Sequence, residues 1–218
     1  MALVMYLTRV PSYENTTVEE IKLIELYLSW QHQKKIGSKY ASDTFEKWCS
    51  HSESELPNKE VIDYYRPFWT TKHMYMEMVG NVEGRSIFDQ LARFVKSNPI
   101  FNWFYDNVLD HKLDKGYHKV TREQLEKILN ICIKVKNDGI VLIKKNKHGI
   151  DELNEYRVDE NIAKDLLPTY NNAKGYFGPD KYENFYAYQV INAIDIVNNI
   201  LKTTDFESQT IYLNFTSV

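Results

Sequence analysis

Residues 209–216 read QTIYLNFT, with Ile211, Leu213 and Phe215 on every second position and polar or amphipathic residues between them. Successive side chains of a strand point to opposite faces, so this alternation predicts a half-buried strand. At the other end, Met1–Thr8 (MALVMYLT) is a nearly unbroken apolar run, which suits a strand covered on both faces. Both ends are too apolar to lie loose, and we expect the two strands to pair. Between them the apolar spacing is mostly helical. The expected class is therefore α+β: mostly helical, with a small sheet that includes the N-terminal and C-terminal strands.

Thr16 with Glu19 or Thr17 with Glu20, and Thr121 with Gln124, have the spacing of a capping box, in which hydroxyl and N3 side chain each satisfy a free backbone N–H. Val18, Ile21, Ile24 and Leu28 follow the first, predicting a helix to about Lys35. Leu125, Ile128, Cys132 and Val135 follow the second. Short helices are expected at Phe45–Cys49, from Pro57 to Tyr65, and at Asp159–Leu167, the last stopped by Pro168. Phe68–Val79 alternates weakly and fits either a strand or an irregular loop. Gly84–Ser97 reads as a helix with Ile87, Leu91 and Phe94 inward, and Pro99–Leu109 as another. A hairpin is expected over 139–158. Asp180 and Glu183 predict a third cap, before a final helix burying Tyr182, Tyr186, Val190, Ile194, Val197 and Leu201. The whole, 1–218, reads as a single domain with room for an elaboration at 36–83.

Only 8 Gly and 6 Pro occur in 218 residues, and 43% of residues are hydrophobic, which excludes collagen-like and disordered chains. A net charge of −3 argues against an electrostatic nucleic-acid binder. The two cysteines, Cys49 and Cys132, have no CxxC spacing and read as free thiols of a reducing cytoplasm. No run has the roughly 18 apolar residues of a membrane span.

Candidates for chemistry are sparse. Asp110, His111, Asp114 and His118 crowd one loop, yet the bland reading is a solvated turn, and no metal or cofactor is expected. Cys49 stands near His51, and Cys132 lies on the apolar face of its helix; no catalytic residue is assigned. Lys144, Lys145 and Lys147 suit the tip of a soluble hairpin. Gly175, Tyr176, Phe177 and Gly178, with Tyr182 beyond them, form a Gly-bounded aromatic loop before a helix, the one candidate ligand or partner site. The chain has 30 aromatics (16 Tyr, 10 Phe, 4 Trp), and any surplus at the surface would suit protein contacts.

Several strings resemble a group of uncharacterised phage, prophage and low-GC bacterial proteins that open with MGLDMYL. They are MALVMYLTR (1–9), KYASDTFEKWCS (39–50), LPNKEVIDYYRPF (56–68), KSNPIFNWFYDNV (96–108), EQLEKILNICIKV (123–135), LLPT (166–169), GYFGPDKYENFY (175–186) and TTDFESQTIYLNFTSV (203–218). The resemblance keeps Tyr6, Asn98, Trp103, Leu167, Pro168, Gly175 and Gly178. It departs where the group carries an Asp, an Arg and a His and this chain has Val4, Val95 and Phe101. An Asp-Asp-Cys turn is likewise replaced at Leu113–Gly116, and a terminal Trp by Val218. The loss of those ionisable positions, with the surplus of aromatics, leads us to expect an accessory protein of a phage or prophage that acts without catalysis in the bacterial cytoplasm. Its expected partner is a host or phage protein, in defence or counter-defence, with neither membrane nor nucleic acid as partner and self-association left open. The alternatives are a small-molecule or nucleotide binder, and then a hydrolase or transferase. Val4, Val95 and Phe101 would lie together if the replaced polar groups had formed one site or one network.

Overall fold

A computed structural model describes residues 3–38, 42–49, 51, 55–76, 80–113, 116–144, 154–170 and 181–217. The chain is α+β, as its pattern predicts. Strand β1 (Leu3–Pro11) and strand β8 (Gln209–Ser217) are neighbours in a four-stranded antiparallel sheet of order β4-β1-β8-β5, with β4 at Asp89–Val95 and β5 at His118–Val120. Thr8 Oγ1 donates to Tyr212 O at 3.3 Å across the terminal pair. Strand β5 meets β8 with Val120 opposite Ile211 and His118 opposite Leu213. The chain forms two compact units. One comprises Met1–Thr8, Leu91–Phe206 and Ile211–Val218; the other comprises Arg9–Gln90 and Glu207–Thr210.

In the first unit, helices α4 (Asn98–Asn107), α5 (Arg122–Gly139), α6 (Glu160–Leu166) and α7 (Asn184–Thr203) share a core with the sheet. Met5 and Leu7 of β1, Ala92 and Phe94 of β4, and Ile211, Leu213 and Phe215 of β8 form its sheet side. The Thr121–Gln124 box forms as its spacing predicts, and α5 packs along α7 and α6. Ile162 of α6 sits so close to Gly139 that a Cβ there would come within 3.0 Å of it, so the bare backbone admits the contact. The hairpin is β6 (Ile140–Lys144) against β7 (Glu155–Val158), a two-stranded sheet of its own. The cap expected from Asp180 and Glu183 is corrected. Glu183 is the N-cap and makes no side-chain cap bond, Tyr182 precedes the helix, and Asp180 lies outside the described residues.

In the second unit the Thr17–Glu20 box opens α1 (Val18–Lys35). Helices α2 (Phe45–Cys49) and α3 (Lys59–Tyr65) follow, α3 capped by Asn58 rather than opened by Pro57, then a 3₁₀ turn at Arg66–Phe68. Tyr64 and Tyr65 donate to Ser12 O and Pro11 O, at 2.9 and 3.2 Å. Strands β2 (Thr70–Met76) and β3 (Gly80–Ser86) form a hairpin, so the weak alternation after Phe68 is a strand.

The helix expected over Gly84–Ser97 is not formed; those residues are the end of β3 and all of β4. Ile87, Leu91 and Phe94 have helical spacing by coincidence, while the buried pair in β4, Ala92 and Phe94, has the strand period of two. The break falls at Ser86, whose Oγ accepts the Phe88 N–H at 3.0 Å, a local bond that competes with helix. Glu25 of α1 takes the Ile87 N–H at 3.0 Å, and Arg9 then ties to Asp89 at 2.6 Å.

Burial pushes the Glu25 carboxyl above its ordinary range, partly offset by its bonds from Ser86 and Ile87. A carboxyl raised on folding contributes stability below its unfolded pKa and loses it as pH rises through the folded value. Glu25→Gln keeps an oxygen for Ile87 and sheds the buried charge. We therefore expect the variant to melt at or above the parent at pH 7, with the difference closing near pH 4. A clear loss of melting temperature at pH 7 would contradict this.

Candidate functional site

The turn of α1 that buries Ile21, Ile24 and Leu28 continues along the same face as Gln31, His32 and Lys35. The buried stripe thus ends in polar side chains, and these form one wall of a cleft of about 280 Å³ in the second unit. Arg66 of the 3₁₀ turn, Trp69 and Arg85 of β3 complete it. Each arrives for a local reason. Pro67 and the Trp69 N–H to Arg66 O bond (3.3 Å) close the turn that brings Arg66 and Trp69 together. The β2–β3 register sets Arg85 opposite Thr71, near the root of the hairpin.

The side chains are organised around the indole. The Arg85 guanidinium lies over the Trp69 ring, 5.1 Å from its centroid, and the His32 ring meets it edge-on at 5.6 Å. Arg66 is oriented by Gln31 Oε1 at 3.0 Å through Nη1 and by Asp63 Oδ1 at 3.4 Å through Nε. The buried Trp69 indole N–H has no acceptor among the described residues. Lys35, Arg66 and Arg85 are charged at neutral pH. Asp63 is the one carboxylate that pairs with any of them among the described residues. Such a cleft can attract an anion, grip it with directed N–H groups and stack a planar group. Basic residues in the last turn of a helix also complement its dipole, which is why His32 and Lys35 draw no notice in the sequence. The usable signal is that they prolong the buried face.

None of the described candidate site residues singled out from the sequence lines this cleft. Gly175, Tyr176, Phe177 and Gly178 fall outside the described residues, as do Asp114, Lys145 and Lys147. Tyr182 takes the Thr169 N–H at 3.1 Å and packs on Tyr186. His111 Nδ1 lies 3.3 Å from Asp106 Oδ1, and the His118 ring stacks on Phe215. Asp110 and His111 both have positive φ, so that exposed turn is strained. No three metal-ligating side chains gather among the described residues. His51 pairs with Glu55 at 2.9 Å; the side chain of Cys49 is outside the description. Burial pushes the Cys132 thiol up to about 12, so it is held as an inert thiol.

Val4, Val95 and Phe101 do not share one face. Phe101 belongs to the core that Met5, Leu7 and Phe94 enter, and strand alternation turns Val4 and Val95 away from it. Val4 is buried, whereas Val95 is 39% exposed. Among the aromatics whose side chains are described, 11 are buried and 13 half-buried, and only Phe68 and Phe185 are exposed. The contiguous exposed apolar stretch is aliphatic, Val141, Leu142 and Ile143 of β6.

No helix among the described residues is long and apolar enough to cross a membrane. No protein-family model, curated protein or solved structure matches the chain.

Proposed function

We propose that this protein works by binding rather than by catalysis, and that the cleft beside Trp69 takes an anionic ligand. The observation that carries the reading is the convergence of Lys35, Arg66 and Arg85 on one concavity, in a chain whose net charge is −3. Three cations drawn together against the sign of the whole molecule repel one another, and an anion between them relieves that repulsion. Trp69 and His32, whose rings meet edge-on at 71°, add aromatic surface beside the cations, which favours the small-molecule or nucleotide class over a featureless anion site.

A thermal-shift series tests this. Sulfate, citrate and nucleotides at about 100 times their dissociation constants should each stabilise the fold by roughly 2.7 kcal/mol, through mass action. The shift should shrink with added salt and vanish in Lys35→Ala/Arg85→Ala. An unshifted melting curve with every anion, or a shift that survives the double substitution, would remove the cleft from consideration.

A further inference from the structure

We infer that the ligand of this cleft carries a terminal phosphomonoester, an inference that rests on the anion-binding reading above. Four basic side chains reach the cleft from three separate elements: His32 and Lys35 from α1, Arg66 from the 3₁₀ turn and Arg85 from β3. Donors that approach from several directions suit a tetrahedral end group with three terminal oxygens. A carboxylate offers two oxygens in one plane. A phosphodiester offers two free oxygens and a single charge, and its chain must leave on both sides.

Charge points the same way. The cleft presents three permanent positive charges, and no acidic side chain lines it. A phosphomonoester is close to a dianion at neutral pH, since its second pKa is about 6. A phosphodiester or a carboxylate supplies half of that. Arg66 is held through Nη1 and Nε by Gln31 and Asp63, so the guanidinium is fixed before a ligand arrives and its Nη2 edge is left to bind. Fixing the fork beforehand lowers the ordering cost of each bond to phosphate.

Size limits the remainder of the ligand. About 280 Å³ lies at the small end of ligand sites, which run from roughly 300 Å³ upward. That admits a sugar phosphate or a single nucleotide, and not a dinucleotide. The Trp69 indole, with its N–H unsatisfied, is the group that a ring oxygen or base acceptor would meet.

The test uses the full chain, with calorimetry and tryptophan fluorescence at fixed ionic strength. The probes are inorganic phosphate, ribose 5-phosphate, AMP, 3′,5′-cyclic AMP and glutarate. We expect AMP to bind at least tenfold tighter than cyclic AMP, which keeps the base and sugar and loses the dianion. Ribose 5-phosphate against AMP separates a sugar phosphate from a nucleotide as the source. Lys35→Ala and Arg85→Gln should each weaken AMP by tenfold or more with unchanged melting temperature, and Trp69→Phe should abolish the fluorescence response. Equal binding of AMP and cyclic AMP, or tighter binding of glutarate, overturns the phosphomonoester and leaves the anion reading standing. No binding of any probe at 10 mM overturns both.

Discussion

Asn98→Ala is expected to destabilise the first unit by about 2–4 kcal/mol, from the loss of two buried hydrogen bonds at once. Asn98 is fully buried at the start of α4. Its Nδ2 donates to Tyr170 O at 3.0 Å, and its Oδ1 accepts the Tyr170 N–H at 2.5 Å. The side-chain amide thereby stands in for a strand partner and satisfies both backbone groups of one residue. Beside it Gln189 Nε2 donates to Lys96 O at 2.6 Å, and Lys96 has a φ of +49°. The β4–α4 connection is thus a left-handed residue held by the Gln189 side chain and a buried amide held by the Tyr170 backbone. Alanine removes the amide and leaves a Tyr170 N–H and C=O without these partners. Against a total stability of 5–15 kcal/mol typical of domains, roughly a third is at stake. Urea unfolding followed by fluorescence of Trp103, buried in the same helix, reads the change. Asn98→Asp sharpens the test. It keeps an acceptor for the N–H but turns a charged oxygen on the Tyr170 carbonyl, so it should be no better than alanine at pH 7 and recover in acid, where a protonated carboxyl can donate. A loss below about 1 kcal/mol for alanine would mean that solvent replaces the amide.

Asn98 also shows what a sequence conceals. Its place at a helix start is readable from the Asn98–Pro99 pair, whereas its partner is 72 residues away and nothing local points to Tyr170. The terminal strands are readable because β8 alternates and β1 is an apolar run buried on both faces, and the two capping boxes because each is closed by residues three apart. Gly84–Ser97 misleads because a short apolar run fits both periods, and the deciding bonds come from Ser86 and from Glu25, some 60 residues earlier. The cleft is hidden for the same reason. His32 and Lys35 are ordinary at the end of a helix, and their meaning comes from Arg66, Trp69 and Arg85, which the hairpin register and the 3₁₀ turn bring to them. The Gly175–Gly178 loop drew attention by composition, which is a local property and says nothing of convergence.

The second large effect concerns Val4 and Val95, which strand alternation turns to one face of the sheet. Val4→Asp should cost roughly 3–5 kcal/mol, because Val4 is 1% exposed and an unpaired carboxylate there has no water. Strand alternation decides which second substitution rescues it. Strands β1 and β4 are antiparallel neighbours, so the start of one lies beside the end of the other, and Val4 and Val95 turn to the same face. Phe101 is on the opposite side, within the core of the first unit. An arginine at 95 would start from a half-exposed position and could lay its guanidinium on the carboxylate with little desolvation of its own. Val95→Arg in the Val4→Asp background should therefore recover at least 1 kcal/mol, a coupling typical of residues in contact. Phe101→His should add its own destabilisation without coupling to either. The cycle is measured by urea unfolding of the four chains Val4/Val95, Val4→Asp, Val95→Arg and the double variant, with Phe101→His added to each. Strict additivity at 4 and 95 would place the two side chains out of reach of each other. Coupling between 4 and 101 would contradict the sheet that separates them. The expected pattern would make an Asp at 4 and an Arg at 95 a cross-strand ion pair, for which two valines together can be a neutral or stabilising substitute. On that pattern a His at 101 would stand apart from the pair, across the sheet.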